Sequence, residues 1–556
     1  MPAPSAAHRS HARGIAMVIA VIGVGVLVVW MAKARPLWVD EEMLALNVRD
    51  RTIAGLAGPL WLDQSAPFGW LTLERMLMLA FGTGERVVRA LTVTFGIATL
   101  FTALRIGRRW MSPIGAAVLV ALCAFGQWIV FFTLELKHYS ADTFGALLVP
   151  AAGAWALDGI ARPDRGRLRR WWIVAAIVLW FSNGALFVTP ACALLLFACV
   201  WYRAGYREAQ RFALDGVIFL ASFGLCYFVV LRHALANSYL KTYWAFAFPP
   251  TSEGATATVR WLAGQPIPFA TKPVGSSLQQ WFWLTYLIGI GLGIVRRSPL
   301  ALMFATVPIS ALALAILHVV PTFERLALWS VPALYVGVAL CADAALWLIQ
   351  RRHIRIVCVP LSLATAFAVL CVAGDIVGRG LRELELRPRS NYGLDDRSST
   401  RWLLANHQQG DAVLTTHYGL AALWWYGRIN IADQDRSGRL ADGSPMYEIG
   451  HVLSGPECTS PTQSLDAALA GHRRAIVYLG FRLNVLPDWF DTFALDELAR
   501  RGALVGYKEY AEGSRLAIFD LTAAPTRAEQ IPPGNDAPRD PAAMTGCVTA
   551  TAARRW

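Results

Sequence analysis

Long apolar runs separated by short polar breaks fill the first two thirds of the chain. Read with a window of about 19 residues, the length that crosses a bilayer core as a helix, they fall at 14–34, 87–104, 112–132, 140–161, 171–202, 212–231, 279–295, 298–320, 326–349 and 354–376. The run 171–202 is too long for a single crossing, and Ser182, Asn183 and Gly184 interrupt it midway, so it reads as two short helices in a hairpin, giving eleven spans in all.

Beyond Val377 the pattern changes to short alternating stretches with Pro- and Ser-containing breaks. "STRWLLANHQQGDAVLTTHYG" reads as helix, turn and strand, while "RRAIVYLGF", "DELARRGALVGYKEY" and "SRLAIFDL" read as strand, helix-to-strand and strand. The expected fold class is an α-helical polytopic membrane protein, with about 11 transmembrane helices over 1–376 and a small C-terminal α/β domain over 377–556. The Pro-, Ala- and Gly-rich end after Asp520 is expected to fray.

Composition agrees with this reading. Of 556 residues 56% are hydrophobic and only 16% charged, with a mean hydropathy of +0.43, which excludes a soluble globular, collagen-like or disordered chain. The net charge of +13 is unevenly placed: Val377–Trp556 holds 20 Lys+Arg against 21 Asp+Glu, so the whole excess lies in the apolar part. Arginine clusters at Arg105/Arg108/Arg109, Arg162–Arg170, Arg203/Arg207/Arg211, Arg296/Arg297 and Arg351/Arg352/Arg355 separate alternate spans, as cationic loops retained in the cytoplasm do. The charge therefore tracks topology and not nucleic acid. Arg9 and Arg13 place the N-terminus inside, the first run reads as an anchor and not as a removed signal, and an odd span count puts 377–556 outside. The Ala- and Arg-rich composition favours a bacterial inner membrane, with the working face towards the periplasm.

Seven of nine cysteines fall inside expected spans, where a thiol acts as a small apolar group. Cys458 and Cys547 are the two that an oxidising exterior would permit to bridge. No CxxC or HExxH signature occurs, and "GIGLG" around Gly289 lies inside a span, where glycines serve helix packing.

The informative residues are polar groups on the expected outer face. Asp40, Glu41 and Glu42 follow the first span in "RPLWVDEEMLALNVRD", where they are either a solvated helix start or part of a site. An interfacial stretch follows, with Trp61 and Trp70 placed as headgroup anchors. The third span ends in "FFTLELKHYSAD", which sets Glu135, Lys137, His138, Tyr139 and Asp142 at one membrane boundary; such groups either pair as a helix cap or line a polar cavity. "NSYLKTYWAFAFPP" from Asn237 and "PTFERLALWSVPAL" from Pro321 complete the set, and Arg325, like Lys33 and Arg35, departs from the inside-positive pattern. An outer anionic group or snorkelling to lipid phosphates accounts for that departure.

The order of the acidic "DE" after the first span, "APFGW", "FGTGERVVRALTVTFG", "ELKHYSAD" and "RLALWSVPAL" resembles the GT-C superfamily of polyprenyl-phosphate-sugar-dependent glycosyltransferases. The branch it looks most like holds the protein O-mannosyltransferases and the lipid A aminoarabinose transferases, and the resemblance runs from about Leu37 to Leu346. It implies inverting transfer of a sugar from a polyprenyl-phosphate carrier to an extracytoplasmic glycan, lipid or protein acceptor. Asp40 then maps to the acid that acts as base or orients the acceptor, with Glu41 beside it, Asp142 or Glu135 supports it, and Arg325 maps to the cation near the donor phosphate. Where the aminoarabinose branch carries a Lys before the Pro of the first loop, this chain has Ser65 and Ala66 before Pro67, so Lys137, His138 and Tyr139 become candidates for the missing phosphate contact. A divalent cation such as Mg or Mn would sit on Asp40 and Glu41, though the sequence does not require one.

The chemistry stands without the resemblance. Outside the cell a transferase needs a donor already activated and delivered in the membrane; a carboxylate can take the acceptor proton, and a cation can stabilise the departing phosphate. A transporter would place its polar groups near the bilayer midplane on interrupted helices. A noncatalytic receptor or scaffold would act through the C-terminal domain, where Trp424, Trp425 and Tyr426 read as domain core or as a platform for a sugar ring.

Overall fold

The computed structural model describes residues 6–158, 164–350, 355–386, 395–433, 438–450, 461–481, 490–510 and 514–526. The chain forms two compact units: Met1–Ala34 with Ala57–Pro59 and Ser65–Leu386, and Arg35–Leu56 with Leu60–Gln64 and Arg387–Trp556. The helix of the last span runs on to Leu386, and most of the first loop belongs to the same unit as the C-terminal domain.

The chain starts with α1 (Ala6–Ala32) and α2 (Val39–Asp50), of which α2 is part of the second unit. In the first unit follow α3 (Phe68–Phe81), α4 (Ala90–Trp110), α5 (Pro113–Phe125), α6 (Gln127–Thr133), α7 (Tyr139–Leu157), α8 (Arg165–Val178) and α9 (Asn183–Ala204). A long helical stretch then joins α10 (Tyr206–Asp215), α11 (Val217–Cys226) and α12 (Arg232–Ala236) through a π-helical turn. Short helices α13 (Ser238–Tyr243), α14 (Ala255–Gly264) and α15 (Pro266–Thr271) lead to α16 (Gln279–Val295), α17 (Pro299–Ile316), α18 (Val331–Gln350) and α19 (Arg355–Leu386).

Among the described residues seven helices are long and apolar enough to cross a membrane, or eight if α5 and α6, bent by 50°, count as one span. This is a membrane protein, but the count of eleven is not reached. Helices form at every expected run; α8 and α16, with 14 and 17 residues, fall short of the ~20 that a full crossing takes. The long run breaks at its polar triplet, where the Ser182 hydroxyl accepts from Ala185 N–H at 3.0 Å and caps α9. Its two parts are unequal: α9, at 22 residues, is a full span.

Arginines from three helices gather at the C-terminal end of α7. Arg203 donates to Leu157 O at 3.1 Å, Arg167 to Asp158 O at 3.2 Å, and Arg109 lies 2.9 Å from the Asp158 carboxylate. The last carbonyls of a helix carry partial negative charge and lack partners within it, so guanidinium groups satisfy them. This end of α7 is anchored, and the residues of interest lie at the other. Trp70 is no surface anchor: it is fully buried, its ring 6.3 Å from that of His138.

The second unit is an α/β sandwich. Its strands are β1 (Ala412–Thr415), β2 (Met446–Glu448), β3 (Arg474–Leu479), β4 (Ala503–Tyr510) and β5 (Ser514–Asp520), in the order β2-β1-β3-β5-β4. β1 runs parallel to β2 and β3, and β5 antiparallel to β3 and β4. Alternation along β3 sends Val477 to one face, against Leu465 and Leu469 of α22 (Pro461–Leu469) and Leu495 and Leu498 of α23 (Phe490–Ala499). Ile476 and Tyr478 face the other side, against Leu403 of α20 (Asp396–Asn406) and Leu423 of α21 (His417–Tyr426). Cys123, Cys192, Cys199, Cys226, Cys341 and Cys371 carry free thiols. Cys458 and Cys547 lie outside the described residues.

Candidate active site

In the first unit the starts of α7 and α9 meet. His138 Nε2 stands 3.4 Å from Asp142 Oδ2, one helical turn on, and 3.3 Å from Asn183 Nδ2. Gly184 N–H donates to Asp142 Oδ1 at 3.1 Å, so the carboxylate sits at the positive end of α9. This approach requires small residues: a Cβ on Gly184 would overlap Asp142 O, and one on Gly145 would overlap Ser182 Oγ. The break in the long apolar run therefore supplies a helix N-terminus to hold a buried acid.

These groups line a cavity of about 870 Å³. His138, Tyr139, Asp142 and Asn183 form one wall, and Arg325 and Lys241 bring positive charge to it. Arg325 belongs to a 3₁₀ turn, Glu324–Ser330, in which Glu324 takes φ 37°, rarely adopted by L residues, and pairs with Lys272 Nζ at 3.0 Å. The guanidinium lies 5.8 Å from the Trp244 ring. Trp244, Phe248, Trp261 and Trp329 give the rest of the lining an aromatic character. Two cations, two imidazoles and one carboxylate among flat apolar rings form a site suited to an anionic group bonded to a ring with an apolar face.

Of the expected site residues, His138, Tyr139, Asp142 and Arg325 share this cavity. Glu135 and Lys137 do not line it; both are buried in the turn before α7. Asp40 and Glu41 lie on α2 in the second unit. Lys241, Asn183 and His318 were not singled out from the sequence. The segment containing Lys241 stood out there only as an outer loop, and Asn183 only as a helix break.

Within the second unit α2 packs on α21. Arg49 donates to Trp424 O at 3.0 Å and pairs with Asp50 at 2.6 Å, its guanidinium lies 5.3 Å from the Trp425 ring, and Leu37 N–H donates to the Tyr426 hydroxyl at 2.8 Å. The Trp424–Trp425–Tyr426 run thus holds the helix that carries the acids. Glu41 reaches back to Trp38 N–H at 3.3 Å, as an acid at the third position of a helix does. Glu42 is fully buried, and among the described residues neither carboxylate oxygen has a hydrogen-bond partner. Burial, then the charges of Asp396 and Glu41, push it well above the ordinary carboxylate range. Asp396 accepts from the Tyr478 hydroxyl and is pushed up to about 6, chiefly by burial. Among the described residues no three His, Cys, Asp or Glu side chains come together as a metal site.

No protein-family model and no curated protein matches the chain. Solved structures do. ArnT from Cupriavidus metallidurans in the apo state is similar with a TM-score of 0.53 at 13% identity, over 93% of this chain and 100% of that one. The same protein bound to undecaprenyl phosphate gives 0.52 at 12%, over 92% and 99%. The Archaeoglobus fulgidus oligosaccharyltransferase in complex with Zn and sulfate gives 0.51 at 11%, over 88% of this chain and 72% of that one. At these identities the likeness is one of fold: the chain shares the polytopic α-helical fold of ArnT and of the oligosaccharyltransferase.

Proposed function

We propose that the protein is a membrane glycosyltransferase, which moves a sugar from a polyprenyl-phosphate carrier to a glycan, lipid or protein acceptor on the extracytoplasmic face. The observation that carries this reading is the gathering of His138, Tyr139, Asp142, Lys241 and Arg325 around one aromatic-lined cavity of about 870 Å³. ArnT, similar in fold over nearly its whole length, binds undecaprenyl phosphate.

In the proposed reaction the acceptor oxygen attacks the anomeric carbon from the face opposite the phosphate. The carbon–oxygen bond to phosphate breaks as the new bond forms, so the anomeric centre inverts. The acceptor proton passes to a carboxylate, and the phosphate leaves with the bonding electron pair. Arg325 and Lys241 stabilise the charge that develops on it. Asp40 is the candidate base by motif order, and Asp142, held by Gly184 N–H and His138, orients groups at the cavity wall. Glu41 accepts from Trp38 N–H at the start of α2, and no step of the proposed reaction is routed through a cation.

The test is mass spectrometry of lipid-linked sugars and surface glycans in cells that lack the gene, complemented by wild type or by Asp40→Asn. Loss of one glycan modification with build-up of one polyprenyl-phosphate sugar, reversed only by wild type, is the expected result. Unchanged lipids and glycans would favour a transporter or a scaffold.

A further inference from the structure

Arg325 reaches the cavity from the 3₁₀ turn Glu324–Ser330, whose first residue takes φ 37°. A residue in that region of backbone space stays there only where its surroundings hold it. Contacts on two sides do so. The Glu324 carboxylate pairs with Lys272 Nζ at 3.0 Å. One residue earlier, the Phe323 ring lies 5.9 Å from that of Trp244 and 5.1 Å from that of Phe246, both of which line the cavity.

Lys272 is itself set by a fixed segment. After α15 the chain folds back, with Gly275 N–H donating to Thr271 O at 3.1 Å and Ser276 N–H to Ala270 O at 2.9 Å. The Tyr335 hydroxyl of α18 donates to Val274 O at 2.8 Å. On α19, the Asp375 carboxylate accepts from Ser277 N–H and from the Ser277 hydroxyl, each at 2.6 Å, and from the Ser276 hydroxyl at 3.0 Å. Arg379, one helical turn on, lies 3.2 Å from it. Charge-assisted bonds in that number hold the segment in one place, because leaving would strip a carboxylate of its donors. Residues 272–277 are thus a bracket between α18 and α19, and Lys272 extends from it to the turn that carries Arg325.

We propose that Lys272 and Glu324 are positioning residues for the donor phosphate: their ion pair holds the turn so that the Arg325 guanidinium faces the cavity, and Asp375 sets Lys272 through Ser276 and Ser277. The role of Arg325 as the phosphate contact rests on the proposed function. The side chains are 55% and 31% exposed, so the effect of the pair is modest. Its sign separates positioning from charge. Acting only through its charge, Glu324 would repel an anion bound at Arg325, and its neutralisation would tighten binding. Holding the turn, it supports that anion, and its neutralisation weakens binding.

The experiment is native mass spectrometry of the full-length purified protein titrated with undecaprenyl phosphate, for wild type, Arg325→Ala, Lys272→Met, Lys272→Arg, Glu324→Gln and the double variant Lys272→Met/Glu324→Gln. Lys272→Met and Glu324→Gln are each expected to lower affinity about three- to fivefold, and the double variant no further than either alone, while Lys272→Arg stays within about twofold of wild type. Unchanged or tighter binding by Glu324→Gln would overturn the proposal, as would losses that add in the double variant. Equal binding by wild type and Arg325→Ala would remove the phosphate contact of the proposed function and this proposal with it. A loss in Arg325→Ala with none in Lys272→Met or Glu324→Gln would leave that contact standing and overturn the positioning role alone. If Lys272→Met fails to fold, Glu324→Gln carries the comparison, since the sign expected of it is opposite to that of a charge effect.

Discussion

Each unit buries a carboxylate near its candidate chemistry, but in different company. Asp142 in the first unit receives Gly184 N–H at the start of α9 and has His138 at 3.4 Å. Glu42 in the second is equally buried and has no hydrogen-bond donor among the described residues, only further acids as its strongest neighbours in charge. A buried acid whose oxygens accept from donors is held in one orientation by them, whereas burial keeps the donor-less Glu42 neutral, so that it acts through packing. Burial alone therefore does not single out a catalytic acid; what faces its oxygens does.

The comparison breaks first at the cation. Arg325→Ala should lower turnover about 10²–10³-fold, in the range seen when a group stabilising developing negative charge is removed. Steady-state kinetics with a polyprenyl-phosphate sugar would check this; a change under threefold would move the phosphate contact elsewhere.

Asp396→Asn sharpens the other side. Its folded value, about 6, lies above the ordinary 3.8, so the folded unit holds the proton more tightly than the unfolded chain. Its stabilising contribution is complete below about pH 4 and is lost as the pH rises through about 6. The variant should gain stability over wild type across that window, by up to about 3 kcal/mol, and show no gain at pH 4. Thermal or denaturant unfolding at the two pH values is the measurement, and a gain independent of pH would contradict the assignment.

Gly184→Ala tests the helix contact beneath the cavity. The added methyl overlaps Asp142 O, and the strain should cost about 1–3 kcal/mol and lower the melting temperature of the detergent-purified protein. The smallest effect is expected from Ser182→Ala, which removes the cap of α9 and costs about 1 kcal/mol. Both are read as melting temperatures against wild type, and Ser182→Ala should leave donor affinity within about twofold.

The helical runs, the break at Ser182 and the strand patterns of the C-terminal domain were legible because each is written in local periodicity. So was the boundary cluster from His138 to Asp142, since charge at the end of an apolar run is conspicuous at any depth. Lys241 and His318 were not, because the loop between α12 and α16 and the turn after α17 reach the cavity through tertiary folding that no spacing encodes. The separate roles of Asp40, Glu41 and Glu42 were equally hidden. Three adjacent acids look alike in sequence, yet on α2 Asp40 is part-exposed, Glu41 caps and Glu42 is buried. The aromatic run Trp424–Tyr426 read as domain core or as a sugar platform, and within the second unit it holds α2 through Arg49 and Leu37.

The central claim is that the cavity of the first unit holds a lipid phosphate between Arg325 and Lys241. Its most direct test is native mass spectrometry of the purified protein titrated with undecaprenyl phosphate, for wild type, Arg325→Ala and Lys241→Ala. The account predicts one retained lipid per wild-type chain, with affinity reduced at least tenfold by each substitution. Equal retention by all three proteins would contradict it.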